Sequence, residues 1–473
     1  MREAISLRGG VPVWAALIGL QALALLVALV SPELAILFVA ATAAVVILVQ
    51  LLISRDGALV VVVVLLLAVI VLPEDLALRY RVPIAGGGIY ISDLLLAPLL
   101  IAWAVALLVR RTVTVTRTAC MLPLALLVLW AAVCAAVGHL GGNASKPILQ
   151  DSRSLVYFVL FFWVVTMVDD RRGVLVLLKA LAACIPAAFL VGLIYTARGM
   201  ATPTGFVEAG VARFPAPNEV FLIGSILLIG WVALWPRGRP RPRVLWILLG
   251  VALVGLMLSL VRGYWVGLVV GLAYLFVLLR GSERVRLVGG VVVVGVLLGF
   301  GTAALSPALF ESVVSRAAAV TAVGDPNVQY RLLENQAVLK QVRQRPLTGY
   351  GLGKSFTPDY TKYGVPRAPQ WYIHNNYLWI LQRMGVVGLA LFAWFVIAFL
   401  FPRGGLRRLP VEKDPWLGGI AIGSRALLVA LLFVSITSPQ FNTMGNVAAV
   451  ATVLGTAEVA RRLLDEPAGE APG

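Results

Sequence analysis

Residues 244–279 read VLWILLGVALVGLMLSLVRGYWVGLVVGLAYLFVLL, more than thirty positions interrupted by a single charge, Arg262. About 17–25 mostly apolar residues cross the hydrocarbon core of a bilayer. Val244–Val261 and Tyr264–Leu279 are therefore read as two membrane spans joined by a tight turn at Arg262-Gly263. An arginine at bilayer depth costs roughly 2.5–3.5 kcal/mol on insertion scales, so Arg262 is expected at the turn, facing a cavity or a partner. The simpler alternative is an end-of-helix arginine snorkelling to lipid phosphate.

The same pattern repeats along the whole chain. Further apolar runs are Val11–Val30, Leu34–Ile53, Ala58–Leu72, Ile91–Val109, Ala119–Gly138, Leu155–Val168, Val174–Thr196 and Val220–Trp235, then Val285–Leu305, Tyr377–Phe401, Leu417–Thr437 and Phe441–Ala460. The fold class is thus an all-α polytopic membrane protein with about 12–14 transmembrane helices. Composition agrees: 60% hydrophobic, 13% charged and a mean hydropathy of +0.95, far from a soluble domain. The net charge of +17 does not indicate a nucleic-acid partner, because the basic residues sit in short clusters between apolar runs. Cys120, Cys134 and Cys184 lie inside apolar runs and form no C-x-x-C pair, so neither a disulfide framework nor a zinc site is expected. The first run lacks a small-residue cleavage site and reads as a span, not a signal peptide.

Alternating the spans from a cytoplasmic N-terminus puts the arginine clusters at 110–117, 171–172, 237–243, 280–286, 403–408 and 461–462 inside. Only Arg79, Arg81, Lys146, Arg153, Arg198, Arg213 and Arg262 fall in short outer loops. That is the asymmetry of the positive-inside rule. It divides the chain into transmembrane helices over 1–305, an extracytoplasmic loop over 306–373, C-terminal transmembrane helices over 374–464 and a tail over 465–473 expected to be disordered. In the loop, Asp325-Pro326 offers an N-cap and a first-turn proline. Residues 327–344 carry apolar positions at Val328, Leu332, Leu339 and Val342, the pattern of an amphipathic helix that Pro346 stops. The glycines of Thr348-Gly-Tyr-Gly-Leu-Gly353 have the spacing of neither standard phosphate loop and are read as a tight turn needing no ligand.

Chemistry concentrates on the outer side. His374, in Trp371-Tyr-Ile-His374-Asn-Asn-Tyr377, stands where a span begins. Imidazole is the side chain that titrates nearest neutrality, which suits a general base; the plainer alternative is an interfacial histidine satisfied by a neighbour. His139 reads as an ordinary loop residue. Arg213 lies in an outer loop entering a span, and Arg331 lies on the expected loop helix, where an i,i+3 pair with Glu334 is one bland reading. Three arginines and a histidine on one side suit an anionic group, with diphosphate favoured by the fork geometry of guanidinium. The outer acidic residues show no clustered carboxylates, so no catalytic metal and no cofactor are expected. Asp151 is the next candidate base after His374.

Four places carry a resemblance: Arg213-x-x-x-Pro217-Asn218, Ser259-x-x-Arg262-Gly263, Arg331 followed by Arg345-Pro-Leu-Thr-Gly349-Tyr-Gly351-Leu-Gly353, and His374-Asn-Asn-Tyr377 through Gly385-x-x-Gly388. With them the chain resembles the O-antigen ligase and O-antigen polymerase superfamily of bacterial membrane glycosyltransferases. The resemblance implies a lipid-dependent, GT-C-like architecture in the bacterial cytoplasmic membrane, with the active site facing the periplasm or cell exterior. It implies metal-independent, inverting transfer of a glycan from an undecaprenyl-pyrophosphate carrier to an acceptor hydroxyl on a glycan, a lipid-anchored molecule or a protein. Under it, His374 resembles the general base, and Arg213, Arg262 and Arg331 resemble the pyrophosphate-binding arginines. The rival readings are a secondary transporter or lipid-linked-glycan flippase, for which Arg383 and Arg425 are the main mid-span charges, and a carrier-binding scaffold without catalysis.

Overall fold

A computed structural model describes residues 55–71, 82–84, 87–109, 118–199, 207–208, 211–212, 214–236, 240–305, 307–318, 326–361, 366–402 and 413–465. The expected spans Val11–Val30 and Leu34–Ile53, the tail, Arg213 and the Asp325 cap lie outside them. The chain forms two compact units, Met1–Ala68 with Glu74–Val113, and Val69–Pro73 with Thr114–Gly473.

The first unit contains most of α1 (Arg55–Ile70), the hairpin β1–β2 (Val82–Ile84 and Gly87–Ile89) and α2 (Ile91–Val109). The second contains α3 (Met121–Leu140), α4 (Ser145–Val156), α5 (Val159–Met167), α6 (Arg171–Ala197), the hairpin β3–β4 (Val207–Glu208 and Val211–Ala212), α7 (Asn218–Leu234), α8 (Arg243–Leu258) and α9 (Arg262–Leu278). It continues with α10 (Gly281–Leu305), α11 (Pro307–Ala318), α12 (Pro326–Val342), α13 (Asn376–Leu400), α14 (Pro415–Val434) and α15 (Met444–Asp465). Among the described residues the protein is all-α apart from these two hairpins of two or three residues per strand. Among the described residues, five stretches are long and apolar enough to cross a membrane: Met121–Leu140, Ser145–Met167, Arg171–Ala197, Asn376–Leu400 and Pro415–Val434. Shorter apolar helices, including α7, α8 and α9, pack among them.

Most helices begin and end within three residues of the apolar runs. α10 begins four residues before its run and α15 ends five after, and Leu155–Val168 is the second half of a longer element. α4 turns at Tyr157 and Phe158, both fully buried, and continues as α5. Residues 145–156 are polar on one face, so hydropathy placed them in a loop, yet they are helical and pack on the bundle. Outward faces are as apolar as inward ones: Leu190, Leu193, Ile194, Trp246, Ile247 and Val269 are all exposed. A helix apolar all round, with such a surface, is a membrane helix. α14 is the most buried of the five long helices and packs against α7, α9 and α15.

Caps set the helix entries. Asp414 accepts from Trp416 N and Leu417 N with Pro415 in the first turn, and Asn375 accepts from Tyr377 N and Leu378 N, the side-chain capping that relieves orphan N–H groups. α12 ends at Val342, just before Pro346.

Candidate active site

His374 is the residue immediately before the Asn375 cap of α13, so its backbone is fixed by the start of that helix. It is held from the other side by Glu334 in the middle of α12. The backbone N–H of His374 donates to Glu334 Oε1 at 2.6 Å, and the ring Nδ1 lies 2.8 Å from Glu334 Oε2. One carboxylate thus grips both the main chain and the ring of one histidine. Glu334 is buried, whereas 39% of the His374 side chain is exposed. An ionised carboxylate only accepts, so the proton sits on Nδ1 and the lone pair is left on Nε2. This is the arrangement in which a carboxylate fixes tautomer and orientation for a histidine base.

Aromatic rings surround the pair. Tyr372 packs edge-on to the imidazole with centroids 4.9 Å apart, and Tyr330 packs against Tyr360 at 5.0 Å. Burial, and then the nearby Glu334 charge, push the Tyr360 hydroxyl up to about 12. Tyr360 therefore keeps its proton at any physiological pH and remains a hydrogen-bond donor.

Arg331 lies one turn before Glu334 on α12 and is half-buried, so the loop helix presents an arginine and the histidine-holding carboxylate at i,i+3 spacing. Arg262 is the first residue of α9 and is also half-buried. The turn before it is strained: Leu260 has φ of 51°, rare for a residue with a branched side chain, and is buried. Ser259 Oγ donates to Leu256 O at 2.6 Å, and Trp265 Nε1 donates to the same carbonyl at 3.0 Å, which ties the turn shut. The segment following Arg213 reaches the same place, since Phe214 N donates to Leu258 O at 3.2 Å.

The connection between α14 and α15 joins these parts. Asn376 N donates to Ser435 O at 2.8 Å. A Cβ added at Gly263 would sit 3.1 Å from Thr437 Oγ1. The segments carrying His374 and Arg262 therefore pack on one connection, at the end of the bundle where α7, α9 and α13 begin.

The glycine-rich turn is a structural wedge. Tyr350 N and Gly351 N donate to Gln382 O and Arg383 O, and Leu352 N donates to Cys134 O. α13 breaks at Gly385, with φ of 66° and ψ of −168°, and Val386 N bonds Pro346 O while Trp130 Nε1 bonds Met384 O. At Gly351, with φ of 81°, a Cβ would lie 2.2 Å from Gly138 N, so only glycine fits. Arg383 is not a lipid-facing mid-span charge. Its Nε donates to Asp151 Oδ2 at 2.6 Å and its Nη2 to Trp371 O at 2.7 Å, three residues before His374. Gly353 N also donates to Asp151 Oδ2, at 2.7 Å. Asp151 is thereby committed to structure and is a poor substitute base. His139 lies in the last turn of α3 and is exposed.

Sequence reasoning placed Glu334 only as a neighbour of Arg331. The signal that could have found it was the buried i,i+4 run of α12, Glu334–Val338–Val342, which puts a carboxylate on the packed face. No curated protein matches the chain. Residues 247–393, about a third of it, match the family model described as O-Antigen ligase. The matched segment holds Arg262, Arg331, Glu334 and His374 and is similar to the O-antigen ligase family.

Proposed function

We propose that this O-antigen ligase-type glycosyltransferase moves a glycan from an undecaprenyl-pyrophosphate carrier to an acceptor hydroxyl at the outer face of the cytoplasmic membrane, with inversion and without a metal. The observation that carries the reading is the two-point grip of Glu334 on His374. It leaves Nε2 of an exposed ring as the basic atom at the edge of an aromatic-lined membrane site.

In the proposed step, the acceptor oxygen attacks the anomeric carbon as His374 Nε2 takes its proton. The bond from that carbon to the carrier phosphate breaks, and the electron pair leaves with the pyrophosphate. Nucleotide is scarce on the outer side, so the phosphoglycosyl bond supplies the driving force. Charge grows on the departing diphosphate, and Arg213, Arg262 and Arg331 are assigned to meet it, since preorganised cations act where charge develops. Glu334 stabilises the imidazolium that forms. The acceptor is a second lipid-linked glycan in a polymerase, or a lipid-anchored core, protein or wall polymer in a ligase.

The test is transfer by purified, reconstituted variants. His374→Ala accumulates and binds donor lipid normally, yet loses at least about 10²-fold in rate, the low end for a general base. Glu334→Gln has one acceptor oxygen where the carboxylate has two, so it cannot serve both N–H groups of His374 and also gives up the charge that steadies imidazolium; it loses rate without loss of donor binding. Transfer by His374→Ala at the wild-type rate would show that the base lies elsewhere.

A further inference from the structure

Beside the histidine and arginine groups lies a third set of polar side chains with a different chemical character. It is built from the first turns of α7, α9 and α13 and from the α14–α15 connection. Glu219, in the first turn of α7, accepts the hydroxyl proton of Tyr264, which is 3% exposed and two residues beyond Arg262. With its one proton given to Glu219, the Tyr264 oxygen only accepts. Gln440 Nε2 meets it at 3.2 Å.

That bond fixes which way the Gln440 amide points. Its Oε1 is turned from Tyr264 and has no hydrogen-bond partner among the described residues, although Gln440 is 0% exposed. Asn376, two residues after His374, is oriented in the same manner. Phe441 N donates to Asn376 Oδ1 at 3.1 Å, so the donor Nδ2 is left unpartnered, again in a side chain with 0% exposure. Asn218 Oδ1, next to Glu219, is a further acceptor without a partner among the described residues. Buried polar atoms are costly to leave unpaired. Two fully buried amides with opposite unfilled atoms, one preceding Phe441 in the chain and one bonded to its backbone N–H, suit a group that both donates and accepts.

A phosphate does not fit that description. It only accepts, and the Glu219 carboxylate repels it. A hydroxyl fits, because it donates to Gln440 Oε1, Asn218 Oδ1 or Glu219 while accepting from Asn376 Nδ2. We infer that Glu219, Asn218, Asn376 and Gln440 form a subsite for sugar hydroxyls of a reacting glycan, separate from the arginines that take the diphosphate. This rests on the glycosyltransferase reading and names the part of the substrate those arginines do not recognise. The glycan is that of the donor or, in a polymerase, that of the acceptor.

The experiment uses reconstituted full-length protein and Glu219→Gln, an isosteric change that removes the charge and keeps a hydrogen-bonding group for Tyr264. Three quantities are read: the affinity for bare undecaprenyl pyrophosphate, the KM for lipid-linked glycan donor, and the KM for acceptor. The expected result is unchanged affinity for the bare carrier and a KM raised about tenfold or more for one glycan substrate, in line with a lost hydrogen bond to a charged group. A rise confined to the donor KM assigns the subsite to the donor sugar, and one confined to the acceptor KM assigns it to the acceptor. Gln440→Met, which removes Oε1 at similar volume, raises the same KM and serves if Glu219→Gln accumulates poorly. Equal weakening of the bare carrier, or no change in either KM, overturns the subsite. His374→Ala separates this outcome from failure of the broader reading, because it tests transfer at unchanged donor binding.

Discussion

Arg383 and Arg425 are both completely buried in an apolar bundle, yet their surroundings are opposites. Every nitrogen of Arg383 is used: Nε by Asp151, Nη1 by Gln382 Oε1 and Nη2 by Trp371 O, with the guanidinium lying 5.2 Å from the Trp379 ring centre. Gln382 in turn bonds Gln341 on α12. Arg425, at the middle of α14, also lies over a ring, 4.9 Å from the Phe399 centre, but it donates only to Ala421 O and stands 3.6 Å from Glu458 Oε1 on α15, while its Nε and Nη2 make no hydrogen bond among the described residues. Glu458 has a second partner, Arg461, at 3.2 Å. The first arginine fastens four chain segments around the histidine. The second shares a carboxylate with another cation inside the helix bundle. Burial alone therefore does not say what a membrane arginine is for; the completeness of its hydrogen bonding does.

The comparison breaks or sharpens in three measurements. The largest effect is expected from Arg383→Ala, which leaves the half-buried Asp151 without a cation and detaches Trp371 from α13. Removing one partner of a buried pair costs about 3–5 kcal/mol, read as unfolding in detergent, and transfer is lost with it because His374 follows Trp371 by three residues. Arg425→Met is expected to cost at least about 1.4 kcal/mol less, a tenfold difference in the folding equilibrium, because Arg461 still neutralises Glu458 and the long apolar side chain refills the space. Equal losses in the two variants would erase the distinction. The smallest effect is expected at Asp359, a fully exposed carboxylate that Arg367 and then Thr361 hold below the usual range. A depressed carboxyl adds stability that is present above its unfolded value, near 4, and is lost as pH falls below it. At an exposed site solvent screens that gain, so Arg367→Gln should give an acid-unfolding profile that overlays the wild type.

Much of the fold could be read from hydropathy because a membrane helix advertises itself locally. α2 coincides with Ile91–Val109, and α13 with Tyr377–Phe401 to within a residue at each end. The helix at Pro326–Val342 was legible in its extent because its stop is local, but not in its face: Leu332 and Leu339 are exposed, and the packed side carries Glu334, Val338 and Val342. What escaped was long-range. Glu334 meets His374 across forty positions and Asp151 meets Arg383 across more than two hundred, and no spacing rule connects such pairs. Asp151 was further hidden because the polar face of α4 depresses hydropathy, so a packed helix looked like a loop. The break at Gly385 was hidden for a related reason. Its cause lies in the backbone of another segment and not in a proline or a polar run.

That break constrains how the protein is put together. A helix interrupted nine residues from its start, about 13 Å along its axis, exposes peptide groups that lipid cannot satisfy. Here they are taken up by Pro346, Tyr350 and Gly351. The wedge and the helix it props open are thus one unit of assembly although a stretch of sequence separates them. Translation makes the wedge first, so it waits for α13 before either is complete. For the same reason the two are not modular. Chimeras between relatives that exchange residues 346–353 without residues 380–387, or the reverse, pair a wedge with the wrong gap, while an exchange of both together preserves the fit.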